Sequence, residues 1–263
     1  MDDKDISNCA NIIWKLWETG EKVSRLPRDL QPSTKKDAYR IQKSIVDASG
    51  SDQMGWKIAA TSQAGQRHIG VNGPLAGTIL SSKVLSDGGT VDLSNNIMEV
   101  AELEFAFQMG TDLPPREQEY SKSDILNAIE FILPAIEIPD SRYDDFANVG
   151  QNHLIADSAC ANILLLGKPI KKDWQKVDLK NHTVSAAIDN QSSELIGIGS
   201  NVLGDPFNAL VWIANELINY GDYLKKNCII TTGTCINPIV ISNSNYLRAD
   251  FGDYGTISVK FKN

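Results

Sequence analysis

Along this chain, stretches of three-and-four hydrophobic spacing give way to stretches of alternation, and a sequence of elements follows from the change. Ile6, Cys9, Ala10, Ile13, Trp14 and Trp17 trace one helical face over residues 6–25, with Gly20 as its stop. Ala38, Ile41, Ile45 and Val46 trace a second over residues 35–48, with Ser33 or Thr34 placed to cap it. Gly50, Ser51 and Asp52 break that pattern, and residues 55–60 read as a short strand. Residues 78–108 read as strands separated by the turn Asp87-Gly88-Gly89. Ser121 or Ser123 then caps a helix carried through Ile125, Ala128, Ile129 and Ile132. Residues 152–160 are polar and rich in small side chains, as in a loop entering an element, while 163–166 and 184–188 suit strands. Asp205-Pro206 opens the clearest helix, striped by Phe207, Leu210, Val211, Ala214, Leu217 and Ile218 and closed by Gly221. Strands at 228–232, 238–242 and 256–261 finish the chain.

The stretch that bears on function is residues 100–107. As a strand it turns Leu103, Phe105 and Phe107 to one face and Glu102, Glu104 and Ala106 to the other. Two carboxylates then lie about 6 to 7 Å apart at Cα, within reach of one cation. Ordinary strand design offers an alternative, an outer strand whose glutamates face water. A second apolar segment, residues 133–139, tips the balance because it carries one acid, Glu137, between Ile136 and Ile138. Three strand-borne carboxylates without a Cys or His cluster make an all-oxygen, open site suited to Mg²⁺ or Mn²⁺.

Lys57 sits among the apolar residues of the 55–60 strand. Such a lysine either snorkels to water or serves as a cation for a substrate carboxylate, or as an amine that moves protons. The segment that follows, 61–77, holds Arg67 and His68 among four glycines and a proline, a composition of short helix and binding loops. On their own, Arg67 and His68 read as solvated.

Composition narrows the classes. A chain of 263 residues, 42% hydrophobic, buries a substantial core. A net charge of -8 and a pI near 4.9 argue against a nucleic-acid or anionic-membrane partner. No apolar run reaches the length of a membrane span, and Met1-Asp2-Asp3-Lys4-Asp5 is unlike a secretion signal, so a cytoplasmic location is expected. The four cysteines, Cys9, Cys160, Cys228 and Cys235, show no C-x-x-C spacing, which points to structural thiols rather than a zinc site or disulfide framework. No internal repeat, Rossmann glycine fingerprint or phosphate loop is present.

Taken in order, Gly55-Trp56-Lys57-Ile58, Gly70-Val71, Gly73-Pro74, Glu102-Leu103-Glu104-Phe105-Ala106-Phe107 and Pro134-Ala135-Ile136-Glu137-Ile138 with Asp140-Ser141-Arg142 resemble the fumarylacetoacetate hydrolase superfamily. The similarity is to the branch holding 2-keto-4-pentenoate hydratases and 4-oxalocrotonate decarboxylases, and it extends through residues 155–160, 211–217 and 255–261. The resemblance implies a mixed α/β (α+β) fold with a rolled, sandwich-like β core. It also implies a helical segment at 1–52 ahead of a catalytic domain at 53–263. It implies a magnesium or manganese ion held by Glu102, Glu104 and Glu137, and a small 2-oxo acid as substrate. Lys57 matches the family's lysine, which holds the carboxylate or shuttles a proton. Gly233 and Thr234 resemble the loop that meets the substrate carboxylate, and Asp157 with Ser158 falls where the family places polar site-lining residues. Self-association into a homo-oligomer is likewise implied.

Departures bear on the reaction. Many hydratases carry an acid close to the proline of the 70–75 segment, where this chain has Leu75; Cys160 stands for a common Ser, and Asn227-Cys228 for a common Gly-Asp. With no acid at 75, His68 beside Arg67 becomes an acid-base candidate ranked below Lys57, because imidazole suits proton transfer at neutral pH. The leading expectation is hydratase-like water addition to a 2-hydroxydienoate. Alternatives are decarboxylation of a 4-oxalocrotonate- or oxaloacetate-type acid, or a non-catalytic relative that binds metal and a 2-oxo acid.

Overall fold

The computed structural model describes residues 1–189 and 194–262. Helix α1 (Asp3–Thr19) is capped by Asp2, whose side chain accepts the Asp5 N–H, and it stops where Gly20 turns left-handed. Thr34 caps α2 (Lys35–Ser49) through the Asp37 N–H, and Gly50 ends it in the same way. The inward side chains of these helices, Ile13, Ile41 and Ile45 among them, join the same buried core as Phe105 and Ile213.

The chain continues through β1 (Gln53–Ala59), α3 (Gln63–His68), β2 (Leu75–Leu80), β3 (Val84–Ser86), β4 (Thr90–Asp92), β5 (Val100–Met109), α4 (Lys122–Ala128) and β6 (Ile129–Ile138). After these come α5 (Gln151–Ala156), β7 (Ile163–Leu166), β8 (Thr183–Ile188), β9 (Leu195–Ile198), α6 (Pro206–Ile218), β10 (Ile229–Thr234), β11 (Ile239–Val240), β12 (Tyr246–Asp250) and β13 (Thr256–Lys262). The arrangement is mixed α/β with two curled sheets. The larger runs β2-β1-β10-β5-β6-β7-β3 with β11 beside β5, and the smaller runs β4-β13-β12-β8-β9. No described helix is long and apolar enough to cross a membrane.

Strand β5 shows the alternation its sequence requires. Ala101, Leu103, Phe105 and Phe107 enter the main core, while Ala106 on the opposite face packs with Leu133, Ala135 and Ile229 in a smaller apolar cluster. Both faces are therefore largely dry, and the face carrying Glu102 and Glu104 is not a solvated outer surface. The register of β5 with β6 sets Glu102 opposite Glu137 and Glu104 opposite Ala135.

Several elements differ from the sequence reading. The helix begun at Ser121 stops at Ala128, and Ile129 and Ile132 lie in β6. Pairing with β5 along this segment and burial on two faces outweigh the local helical spacing. Residues 151–156 are the helix α5, not a loop; His153, Leu154, Ile155 and Ala156 are all buried. The Asp87-Gly88-Gly89 turn joins strands of different sheets, since β3 pairs with β7 and β4 with β13. Strands β9 and β12 had no counterpart in the reading, and β12 is central in the smaller sheet.

Candidate active site

Directly opposed residues of an antiparallel pair bring their Cβ atoms to roughly 5 Å, so the β5–β6 register alone puts the Glu102 and Glu137 carboxyls together. Glu104 follows two residues along the same face. One oxygen from each of the three lies within 4.8 Å of the others. Lys57 comes from β1, across β10, through the register Lys57–Thr231–Ala106. Its Nζ lies 3.0 Å from Glu137 Oε1 and donates to the Ala159 carbonyl at 2.9 Å. An irregularity in β10 between Thr231 and Thr234 turns the Gly233 N–H onto Glu104 Oε2 at 2.7 Å. Gly233 has φ of 100°, and a Cβ there would fall 2.1 Å from Thr61 Oγ1, so glycine is required at this bend.

Glu104 Oε1 and Glu137 Oε2 are buried and have no hydrogen-bond partner. Three carboxylates against one ammonium leave a formal charge of −2 when all are ionised. Burial pushes Glu102 up to about 7, with Lys57 pulling down and Glu137 pushing up. Burial together with Glu137 and Glu102 holds Glu104 well above the usual carboxylate range. For Lys57, burial opposes the charge, but the fields of Glu137, Glu102 and Glu104 prevail and raise its pKa. The cluster thus resists full ionisation for want of positive charge. Its all-oxygen donors and unpartnered oxygens fit a hard divalent ion.

Through Lys57 and Glu102 the cluster reaches a cavity of about 660 Å³, lined also by Gly233 and Thr234 and by the apolar Ile58, Leu75, Phe146 and Ile236. His68, on α3, belongs to the wall, its ring edge-on to Phe146 with centroids 5.9 Å apart. Thr234 Oγ1 donates to the Ile236 carbonyl at 2.7 Å. Leu75, the departure noted in the sequence, is buried and lines this cavity. Cys160 lines it too, with burial pushing its thiol up to about 12.

Glu104 and Glu137 join the carboxylate cluster without lining the cavity, and three other expected site residues reach neither. Arg67 is exposed on α3 and is not among its lining residues. Asp157 is fully committed elsewhere: Oδ1 accepts from Arg142 Nε, and Oδ2 accepts from Ser141 Oγ at 2.8 Å and from the Arg142 N–H at 3.1 Å. Ser158 is buried beside it and does not line the cavity. A polar pair read as facing substrate is instead sealed beneath the site, because Arg142 is buried there and draws the carboxylate to itself. The Ala159 carbonyl, which takes the Lys57 ammonium, was not foreseen; a backbone acceptor leaves no side-chain signature. Arg142 did carry a signal, since it belongs to Asp140-Ser141-Arg142, one of the segments that carry the family resemblance.

No model of a known protein family matches the sequence. Individual relatives do match. The chain is 30% identical over 251 residues to 2-oxo-hept-4-ene-1,7-dioate hydratase of Escherichia coli, covering 92% of each chain. It is 27% identical over 242 residues to 4-oxalocrotonate decarboxylase of Pseudomonas putida, covering 91% of this chain and 90% of the other. Its fold superposes on the structure of 4-oxalocrotonate decarboxylase from Pseudomonas putida G7, complexed with magnesium and adipate, with a TM-score of 0.87 at 24% identity, over 100% of this chain and 99% of that one. Similarity to a hydratase over nearly the full length of both chains defines a lyase of the fumarylacetoacetate hydrolase type. The chain belongs to the hydratase and decarboxylase branch of that superfamily.

Proposed function

We propose that this protein is a divalent-metal-dependent lyase of short 2-oxo acids, that Glu102, Glu104 and Glu137 hold Mg²⁺ or Mn²⁺, and that its main reaction is water addition to a 2-hydroxydienoate. The observation that carries this reading is the convergence of three carboxyls, two of them with unpartnered buried oxygens, beside one buried lysine, in a cluster that reaches a large cavity through Glu102 and Lys57. When bound, such an ion supplies Lewis-acid stabilisation of the oxyanion charge that develops on a 2-oxo acid.

The chain's own residues account for the rest. Two of the ammonium protons of Lys57 are directed at Glu137 and the Ala159 carbonyl, which leaves one N–H for the substrate. Hydration needs a proton taken from water and one delivered to carbon. The ionisable side chains on the cavity surface are Lys57, Glu102, His68 and Cys160 among the described residues. Burial keeps Cys160 a thiol at neutral pH, and Glu102 is engaged as a ligand, so Lys57 and His68 are the proton carriers.

Decarboxylation is the second reading, and Leu75 favours it. An apolar side chain where a hydratase offers an acid leaves activation of the attacking water to Lys57 and His68 alone, whereas loss of CO₂ needs no activated water. All the residues assigned here fall within 53–263, which supports taking that span as the catalytic unit and 1–52 as helical support. Four free cysteines suit a reducing cytoplasm. Ile196 and Val240, 70% and 65% exposed, suit self-association into a homo-oligomer.

The test is incubation with Mg²⁺ and 2-hydroxypenta-2,4-dienoate, 4-oxalocrotonate or oxaloacetate while following the enol absorbance and released CO₂. Absorbance loss with a hydrated product and no CO₂ establishes the hydratase, and CO₂ release establishes the decarboxylase. No turnover of any of the three with metal bound overturns the enzymatic reading in favour of a binding protein.

A further inference from the structure

Three consecutive non-glycine residues follow α5 in the left-handed region, Ser158 (φ 49°), Ala159 (φ 50°) and Cys160 (φ 62°). Such residues are strained and persist only where their surroundings fix them. The run sets the Ala159 carbonyl against Lys57 Nζ. The carbonyls on either side of it are held by one short segment just beyond β6. Arg142 Nη2 donates to the Asp157 carbonyl at 2.5 Å and Nη1 to the Ala161 carbonyl at 2.7 Å. The Asp140 N–H donates to the Cys160 carbonyl at 3.0 Å. Arg142 therefore brackets the strained run at both ends, and Asp157 fixes the guanidinium through Nε. Trp17 covers it from above, with the guanidinium carbon 4.2 Å from the ring centroid.

The opposite side of the run is set by Gly77, the β2 residue in register with Lys57. A Cβ on Gly77 would lie 1.9 Å from the Ser158 carbonyl oxygen and 3.1 Å from Lys57 Cδ. The run is thus clamped between a guanidinium and a strand that approaches closely only because residue 77 has no side chain. β6 delivers Glu137 to one N–H of Lys57, and the segment immediately after it positions the acceptor of another.

We propose that Arg142 is a positioning residue for the reaction: by bracketing residues 158–160 it aims the Ala159 carbonyl at Lys57 and so orients the remaining N–H into the cavity. This rests on Lys57 acting on substrate as proposed above. Asp157 acts through Arg142 and touches no substrate.

The experiment compares the metal-loaded wild type with Arg142→Lys, which keeps a cation for Asp157 but lacks the planar fork needed to reach two carbonyls. It adds Arg142→Lys combined with Ala159→Gly and Cys160→Gly, which removes the conformational cost of the left-handed run. The readouts are kcat, KM, melting temperature and the ¹⁵Nζ resonance of Lys57, the last measured without substrate. Arg142→Lys is expected to lower kcat about 10- to 100-fold and to shift or broaden the Lys57 resonance. The glycine pair is expected to recover about tenfold of kcat and the original resonance. A folded Arg142→Lys with unchanged kcat and resonance overturns the proposal, as does a glycine pair that restores melting temperature but not kcat. Should Arg142→Lys not fold, Gly77→Ala displaces the run from its other side. Loss of kcat and of the resonance there supports the proposal, and retention of both overturns it. A wild type inactive on every 2-oxo acid sinks the reading of Lys57 as a catalytic group, while the resonance still reports whether Arg142 positions it.

Discussion

Two buried charged clusters lie side by side in this protein and differ in one respect. In the Arg142–Asp157 pair both carboxylate oxygens and all three guanidinium nitrogens have partners. In the Lys57–Glu102–Glu104–Glu137 cluster one cation faces three acids, and two buried carboxylate oxygens have no partner. Burial and charge are common to both. Incomplete coordination belongs only to the second, and that separates a group that holds the fold from a group that holds a ligand. The saturated pair supports the other, since the backbone that Arg142 clamps presents the Ala159 carbonyl to Lys57.

The contrast predicts opposite costs for removing each cation. Lys57→Met removes the proton-handling group, and turnover should fall by about 10²- to 10⁴-fold while the protein remains folded, as steady-state kinetics and circular dichroism would show. Arg142→Met leaves the Asp157 carboxylate buried without its counter-charge. It should lose about 3 to 5 kcal/mol in a denaturant titration, a larger stability cost than Lys57→Met, whose acid neighbours can keep their protons. Equal stability losses in the two variants would erase the distinction.

A weaker effect concerns pH. Glu102 holds its proton up to about 7 in the fold, against an ordinary value of 4.5. A carboxyl with a raised folded pKa stabilises the fold while protonated, and that contribution is lost as pH rises between those two values. Without divalent ions, stability should therefore decline over this window by on the order of 1 to 2 kcal/mol after allowance for solvent screening. Buried His153 works in the opposite direction, since burial lowers its pKa and acid favours the unfolded chain. Comparing wild type with Glu102→Gln cancels that term, and the variant should show the smaller decline in thermal melts run at several pH values. The smallest effect is expected from Ser141→Ala, which takes one of the two donors from Asp157 Oδ2. It should cost about 1 kcal/mol of stability in a denaturant titration, with turnover reduced only as far as the Arg142 bracket loosens.

The acid cluster was legible in the sequence because its elements are strands, and a strand declares its faces by alternation. Glu102 and Glu104 share a parity, Glu137 sits in an isoleucine run that requires burial, and antiparallel register does the rest. Helices α2 and α6 were legible through their caps, Thr34 and Asp205, and all three long helices through stripes of apolar residues, while the Asp2 cap that starts α1 at Asp3 was not read. What escaped was set by tertiary contact. Ile129 and Ile132 suit a helical stripe but pair with β5. α5 is short, and its caps carry no side-chain bond to announce it. Asp157 looked like a site acid because its type and family position allow that, and only coordinates show Arg142 claiming it. The left-handed run at 158–160 contains no glycine to signal it.

Calorimetric titration of the metal-stripped protein with Mg²⁺ or Mn²⁺, beside a variant carrying Glu102→Gln, Glu104→Gln and Glu137→Gln, puts the carboxylate cluster to the most direct test. One ion should bind per wild-type chain and none to the folded variant. Equal uptake by the two, or no uptake by the wild type, would contradict the account.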